Sequence, residues 1–232
     1  MTTSQASRRS ERSPLARRLL SGRAIGVAAA IAVLAAAALC TKVVKIVEET
    51  TNPAFNAVDY ANEYFEPTVM PWIAEHKVDL VMLLAAIDAD EEKAKVDYGN
   101  SSNPHNAYSY PVTFTGVAGE VADGILQITV EGVPTDTTVY VSLVPGTSTS
   151  LRDVTGLVDL NQFVNQVEYL NASLQFNYKA EELIMKPFVA SNAPASLTGK
   201  TLEVTGAYTD NVPGSITVMP SSIKIVAGSA GA

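Results

Sequence analysis

The residues best suited to recognition chemistry lie in a short stretch from position 152 to position 166. They are Arg152, Asp153, Asn161, Gln162, Asn165 and Gln166. Arg152 is the only arginine after residue 23. A guanidinium grips a carboxylate or phosphate through two parallel hydrogen bonds, which lysine cannot do. Carboxamides are neutral donors and acceptors, which suits sugar hydroxyls or an exposed peptide edge.

Each of these groups has a structural interpretation beside the functional one. Arg152 either pairs with Asp153, Asp159 or Glu168 and pins its loop onto the next helix, or contacts an anionic ligand or a partner protein. The carboxamides fall in two Asn-Gln pairs at a spacing of four, so each type is expected on one side of a helix. They either bind a ligand or satisfy open backbone groups at the end of a sheet. Neither interpretation requires catalysis.

Few residues in the sequence suggest an enzyme, a metal site or a cofactor. The two histidines, His76 and His105, have no second ligand at metal spacing, and no glycine-rich phosphate loop occurs. The acidic run from Asp88 to Glu92 lacks the glycine-containing loop of calcium sites and is expected to be a solvated helix face. The sequence therefore predicts no catalytic residue, no metal site and no cofactor.

Two kinds of periodicity predict the elements that carry these residues. Residues 52–98 show helical spacing, with one helix ending at Pro67 and a second, apolar on one side, running from residue 78 to Gly99. Beyond residue 110 apolar residues alternate, which predicts three strands, a helix capped by Asp159, and two more strands. In the predicted helix the apolar side consists of Leu160, Phe163 or Val164, Val167 and Leu170. This order is typical of an OB-fold. We expect an α+β protein in which a helical layer precedes a small antiparallel OB-fold-like β-barrel; an open antiparallel sheet with helices on one face fits the same pattern.

The N-terminus predicts export. Residues 1–40 carry six arginines and one glutamate, whereas the remainder has ten cations and 23 carboxylates. A basic segment before the uncharged run 24–40 is typical of a signal sequence or membrane anchor, and it places the acidic body on the extracytoplasmic side. The run could stay as an anchor, be cleaved after small residues, or end in a lipid on Cys40, although Leu39 is large for the residue before a lipidated cysteine. An acidic body disfavours nucleic acid as a partner.

The predicted organisation has six parts. They are a basic cytoplasmic n-region (1–23), a signal or anchor helix (24–40), a linker (41–51), a helical layer (52–98), an OB-fold-like β domain (110–226) and a disordered tail (227–232).

Several motifs together resemble a bacterial family of predicted periplasmic lipoproteins, domain of unknown function 2291. They are TKVVKIVEE, the Tyr-Gly that closes the second helix, GTSTSLRDVTG, NQFVNQVEY and GKTLEVTGAY, which span roughly residues 41–226. Members of this family often lie beside genes for sugar-type ABC transporters, and no activity is established for them. The resemblance implies a protein on the outer face of the cytoplasmic membrane with a part in carbohydrate uptake.

We therefore expect a non-enzymatic accessory or binding module whose partner is an ABC transporter component or a small polar ligand such as a saccharide. A purely structural envelope module is the first alternative. A saccharide-acting enzyme is the second, and it would need two carboxylates that face each other across a cleft.

Overall fold

The computed structural model describes residues 55–101 and 107–226 of the chain. The predicted n-region, anchor helix, linker and tail lie outside these residues, as do Cys40 and His105. Within the described ranges, no helix has the length and apolar character that crossing a bilayer requires.

The first described part is helical, as predicted, apart from a two-residue strand. Its elements are α1 (Ala57–Tyr64), a π-helical turn (Phe65–Val69), α2 (Met70–His76), β1 (Val78–Asp79), α3 (Leu80–Ala89) and α4 (Glu91–Tyr98). Side-chain oxygens of Asn56, Asp79 and Asp90 accept hydrogen bonds from backbone N–H groups at the starts of α1, α3 and α4. These caps satisfy donors that have no partner inside the helix.

Two helix boundaries expected from the sequence are wrong. Pro67 does not end the first helix, because the wider π-helical turn at Phe65–Val69 contains it and α2 continues to His76. The second helix is divided at Asp90, whose extended backbone (φ −162°, ψ 94°) ends α3 and begins α4. The apolar side of α3 is where the spacing predicted it, since Leu80 and Leu83 are fully buried.

The predicted order of three strands, a helical region and two strands is confirmed. The five strands are β2 (Ser109–Ala122), β3 (Ile125–Thr129), β4 (Thr138–Ser142), β5 (Thr201–Thr209) and β6 (Ser215–Ile225). Pairing runs β2–β3–β4–β6–β5, and β5 also pairs with β2 over Ser109 to Val117. The β4–β6 pair is parallel and the other pairs among these five are antiparallel. β1 adds a short parallel pair to β2.

The region between β4 and β5 is helical but interrupted. It contains α5 (Ser150–Asp153), a 3₁₀ turn (Leu160–Gln162), α6 (Gln166–Ala180), a π-helical turn (Glu181–Met185), α7 (Lys186–Ser191) and a second 3₁₀ turn (Pro194–Ser196). α6 packs against α1 and α5, and so carries the second half of the chain back to the first helices.

Two apolar clusters hold these layers together. The alternating strand residues Leu126, Val141 and Val204 are fully buried with α3 in the first cluster. The second lies between α1, α2, α5, α6 and the outer side of β5 and β6, and includes Phe65 and Phe176. The candidate site therefore rests on the second cluster.

Candidate functional site

Arg152 lies inside the protein, in an ion pair with the residue that follows it. Its Nε and Nη2 donate to the two carboxylate oxygens of Asp153 at 2.8 and 3.0 Å. Its Nη1 donates to the carbonyl oxygen of Tyr169 at 3.3 Å, and the guanidinium carbon lies 3.6 Å from the centre of the Tyr169 ring. The Tyr169 hydroxyl donates to Asp153 at 3.2 Å. These three residues, which we call the arginine lock, are each less than a tenth exposed.

The short helix α5 carries Arg152 and Asp153, two of the three residues of the arginine lock. The backbone N–H groups of Arg152 and Asp153 both donate to the carbonyl oxygen of Thr149, at 3.0 and 2.9 Å. The neighbours Leu151 and Val154 are fully buried, which anchors the turn. Because the guanidinium is paired, stacked and 4% exposed, its geometry matches the loop-pinning interpretation, with Asp153 as the carboxylate. The other two candidate partners bond to other groups. Asp159 accepts from the backbone N–H of Asn161, and Glu168 accepts from that of Val164.

The carboxamides do not share one helix, so the helix expected from Asp159 to Leu170 is wrong. Asp159 does act as a cap, but of the 3₁₀ turn, where its carboxylate accepts from the backbone N–H and the side-chain amide of Asn161, both at 2.7 Å. Phe163 then adopts an extended backbone (φ −115°, ψ 150°) and breaks the helix. Its ring is buried in the second apolar cluster, and the free energy gained by this burial outweighs the loss of a continuous helix.

Asn165 caps α6 and Gln166 is its first residue. The Asn165 side-chain oxygen accepts from the backbone N–H of Glu168 at 3.0 Å, while the Glu168 carboxylate accepts from that of Val164 at 3.1 Å. This exchange resembles a capping box. The Gln166 side chain is exposed and makes no hydrogen bond with any group in residues 55–101 and 107–226.

Gln162 connects the carboxamide segment to α1. Its side-chain nitrogen donates to the carbonyl oxygen of Leu157 at 3.0 Å, and its oxygen accepts from the Tyr60 hydroxyl at 3.4 Å. The Tyr60 ring also packs edge-on against Phe163 at 5.3 Å. Burial, with the nearby tyrosines Tyr64 and Tyr169, raises the pKa of Tyr60 to about 12. The aromatic contacts fix the position of the segment.

The orientation of α6 is the reverse of what the sequence pattern predicted. Val167 and Leu170 were expected to be buried, yet they are 65% and 46% exposed. The buried side instead carries Tyr169, Ala172, Ser173, Phe176, Asn177 and Ala180. Starting the helical pattern at Asn165 and not at Asp159 would have found this side, because Tyr169, Ala172, Phe176 and Ala180 recur at spacings of three and four.

A neutral, partly apolar surface results on the solvent side of α6. We call it the outer face of α6, and it consists of Val167, Leu170, Asn171, Leu174, Gln175 and Tyr178. None of these side chains is charged, and the partly exposed charged residues Glu168 and Lys179 border the face beside Gln175. Leu157, Leu160 and Val164, just before α6, are also exposed, so five of the fourteen exposed large apolar side chains of the described residues fall within residues 157–170. Such a concentration of exposed apolar area is typical of an interaction surface.

Within residues 55–101 and 107–226, no group of three or more metal-binding side chains comes together. His76 stacks on Trp72, with ring centres 4.1 Å apart, and its Nδ1 lies 2.9 Å from the Trp72 carbonyl oxygen.

Comparisons with known proteins give one family and one fold. Residues 29–224 match the family described as "Predicted periplasmic lipoprotein", domain of unknown function 2291. The structure is similar to the crystal structure of an OB-fold protein from Thermotoga maritima, with a TM-score of 0.62 and 17% identity, over 74% of this chain and 99% of that one. No curated protein matches the sequence. The structural likeness shows the fold alone.

Proposed function

The chain belongs to the family of predicted periplasmic lipoproteins, and from this premise we propose that it is a non-enzymatic accessory module that docks on a partner protein at the outer face of the cytoplasmic membrane. The family supports an extracytoplasmic, membrane-anchored protein. We propose a lipid on Cys40 as the anchor. The ring of strand pairings supports the predicted OB-type barrel as the scaffold.

The single observation that carries the docking proposal is the second apolar side of α6. A surface helix of a water-soluble body normally buries one apolar stripe and exposes a polar one. α6 buries its Tyr169 side against the second apolar cluster, yet Val167, Leu170 and Tyr178 on the opposite side are each close to half exposed or more. Exposing these side chains is unfavourable in water, and a partner that covers them recovers that free energy.

The chemistry of this face favours a protein as its partner. Apolar and aromatic residues dominate the centres of protein interfaces, and charged residues are depleted there. Asn171 and Gln175 can bond to backbone groups of a partner, as Gln162 does to Leu157 within the chain. The acidic body repels the phosphate groups of anionic lipids and nucleic acids. The family resemblance makes a component of a sugar-type ABC transporter the proposed partner.

Site-directed crosslinking tests the proposal. A photoreactive residue at Leu170, in the full-length protein in its native membrane, is expected to crosslink to a membrane subunit of a sugar-type ABC transporter. Leu170→Lys should abolish co-purification of that subunit. Met82→Lys is the matched control, because Met82 is also an exposed apolar helical residue (62%) but lies on α3. Equal capture by wild-type and Leu170→Lys protein would contradict the proposal.

A purely structural envelope role is the alternative that a specific observation favours, since the residues of the arginine lock are buried and bond to one another within the fold. Under that alternative, Leu170→Lys and Met82→Lys would leave every association of the protein unchanged.

A further inference from the structure

A hydroxyl-lined cleft lies at one end of the sheet, between the loop that follows β4 and the loop that joins β5 to β6. Its volume is about 370 Å³, within the range of roughly 300–1,000 Å³ typical of small-ligand sites. It is lined by Thr147, Ser148, Thr149, Thr209, Asn211, Val212, Ser215 and Thr217. It shares no residue with the outer face of α6.

The lining is polar and uncharged. Seven of its eight side chains are hydroxyls or a carboxamide, and none is ionised. Thr147, Thr149, Asn211, Ser215 and Thr217 make no side-chain hydrogen bond with other groups in the described part of the chain, so their donors and acceptors are available to a bound molecule. Asp210 lies between two lining residues but is not itself part of the lining.

α6 fixes the position of the loop that follows β4, which forms one wall of the cleft. The side-chain nitrogen of Asn177, a residue only 1% exposed, donates to the carbonyl oxygens of Gly146 and Ser148 at 2.7 and 2.8 Å. The Ser173 hydroxyl donates to the same Ser148 carbonyl at 3.2 Å. The backbone N–H groups of Arg152 and Asp153 add two bonds to the Thr149 carbonyl. The loop is thus fixed before any ligand arrives, which lowers the entropic cost of binding.

The opposite wall is fixed by the sheet. The Thr209 and Ser109 hydroxyls lie 2.8 Å apart across the β2–β5 pair. The loop after β5 closes through a bond from the Ser215 N–H to the Val212 carbonyl at 3.1 Å. Thr217 is held in β6 by the parallel β4–β6 register, in which it is paired with Tyr140.

We propose that this cleft binds a neutral polyhydroxy molecule of the size of a monosaccharide or disaccharide. A neutral ligand is favoured because a charged one would lose water without meeting an opposite charge. Several hydroxyls in a rigid frame suit a ligand that is itself a rigid array of hydroxyls, each of which both donates and accepts. The inference is independent of the docking proposal, since the two surfaces have no residue in common.

Ligand titration of the full-length protein tests the inference. The protein should be held in a detergent whose headgroup is not a sugar, and titrated calorimetrically with glucose, ribose and maltose, and with glucuronate and glucosamine as charged probes. At least one neutral sugar is expected to bind, and the charged probes to bind more weakly. Thr149→Val with Thr217→Val should raise the dissociation constant about tenfold or more, because two hydrogen bonds are lost while side-chain shape is kept.

Thr129→Val is the matched control, since Thr129 is an exposed strand threonine outside the cleft. It should leave the dissociation constant unchanged, and unfolding temperatures show whether each variant is folded. The inference is overturned if no neutral sugar binds the wild-type protein, if glucuronate or glucosamine binds as tightly as its neutral parent, or if the cleft variant binds like the control. None of these results bears on the crosslink from Leu170.

Discussion

Replacing Arg152 by alanine leaves the Asp153 carboxylate inside the protein without its cation. Removing one partner of a buried ion pair typically costs about 3–5 kcal/mol, because the remaining charge stays buried and uncompensated. Here Asp153 keeps the hydrogen bond from the Tyr169 hydroxyl at 3.2 Å, so we expect the lower part of that range, about 3 kcal/mol of unfolding free energy. Arg152→Lys keeps the charge but loses the paired bonds and the stacking on Tyr169, for an expected loss of about 1–2 kcal/mol.

Urea unfolding measures both losses. Trp72 is the only tryptophan of the chain and packs against the second apolar cluster, so its fluorescence reports on the layer that contains the lock. Tyr169→Phe and Arg152→Ala can be combined in a double-mutant cycle. Their losses of unfolding free energy should not add, because both residues contact Asp153. An Arg152→Ala loss below about 1 kcal/mol, the usual effect of an exposed ion pair, would refute the reasoning. So would loss of partner capture by Arg152→Lys protein that remains fully folded, since that would place the guanidinium in the interface.

Other predictions concern the packing, the pH response and the anchor. Asn177→Ala should destabilise the protein by about 2 kcal/mol, because two carbonyls lose a buried donor, and hydrogen exchange should quicken at residues 146–149. Gly206→Ala should cost about 3 kcal/mol or more in urea unfolding, because a Cβ at Gly206 would lie 2.3 Å from the Met219 carbonyl oxygen. The raised pKa of Tyr60, about 12 against an ordinary 10.0, favours the neutral phenol in the folded state; its contribution to stability should be complete below pH 10 and lost towards pH 12, and Tyr60→Phe should flatten this part of the stability curve. Intact mass of the membrane-extracted protein should show a diacylglycerol-modified Cys40 as its N-terminus, and an unmodified 232-residue mass would contradict the lipid anchor.

The strands could be predicted from the sequence because their burial is decided locally. Leu126 and Ile128 alternate with Gln127 and Thr129, and the structure buries the first pair and exposes the second. The same local signal fails at the carboxamide segment. Phe163 breaks the helix there because its ring packs against the rings of Phe55 and Tyr60, at a separation of about a hundred residues that no periodicity reveals.

The lock was predictable in part. An isolated arginine beside an aspartate indicated a paired guanidinium, and the structure has that pair. Tyr169 could not be foreseen as its third member, because the expected helical pattern placed Val167 and Leu170 on the buried side. A shift of the helix start by a few residues rotates every side chain that follows. The outer face of α6 was therefore missed, and so was the cleft, whose two loops are separated by some sixty residues.

The closed order of strand pairings affects how the protein can associate with other chains. Each of the strands β2 to β6 is hydrogen-bonded to two others among them, so none of the five is an edge strand along its whole length. The proposed contacts through α6 would then depend on a few side chains and not on backbone hydrogen bonds to a partner strand. Association of this kind can be reversible and can be changed by single substitutions.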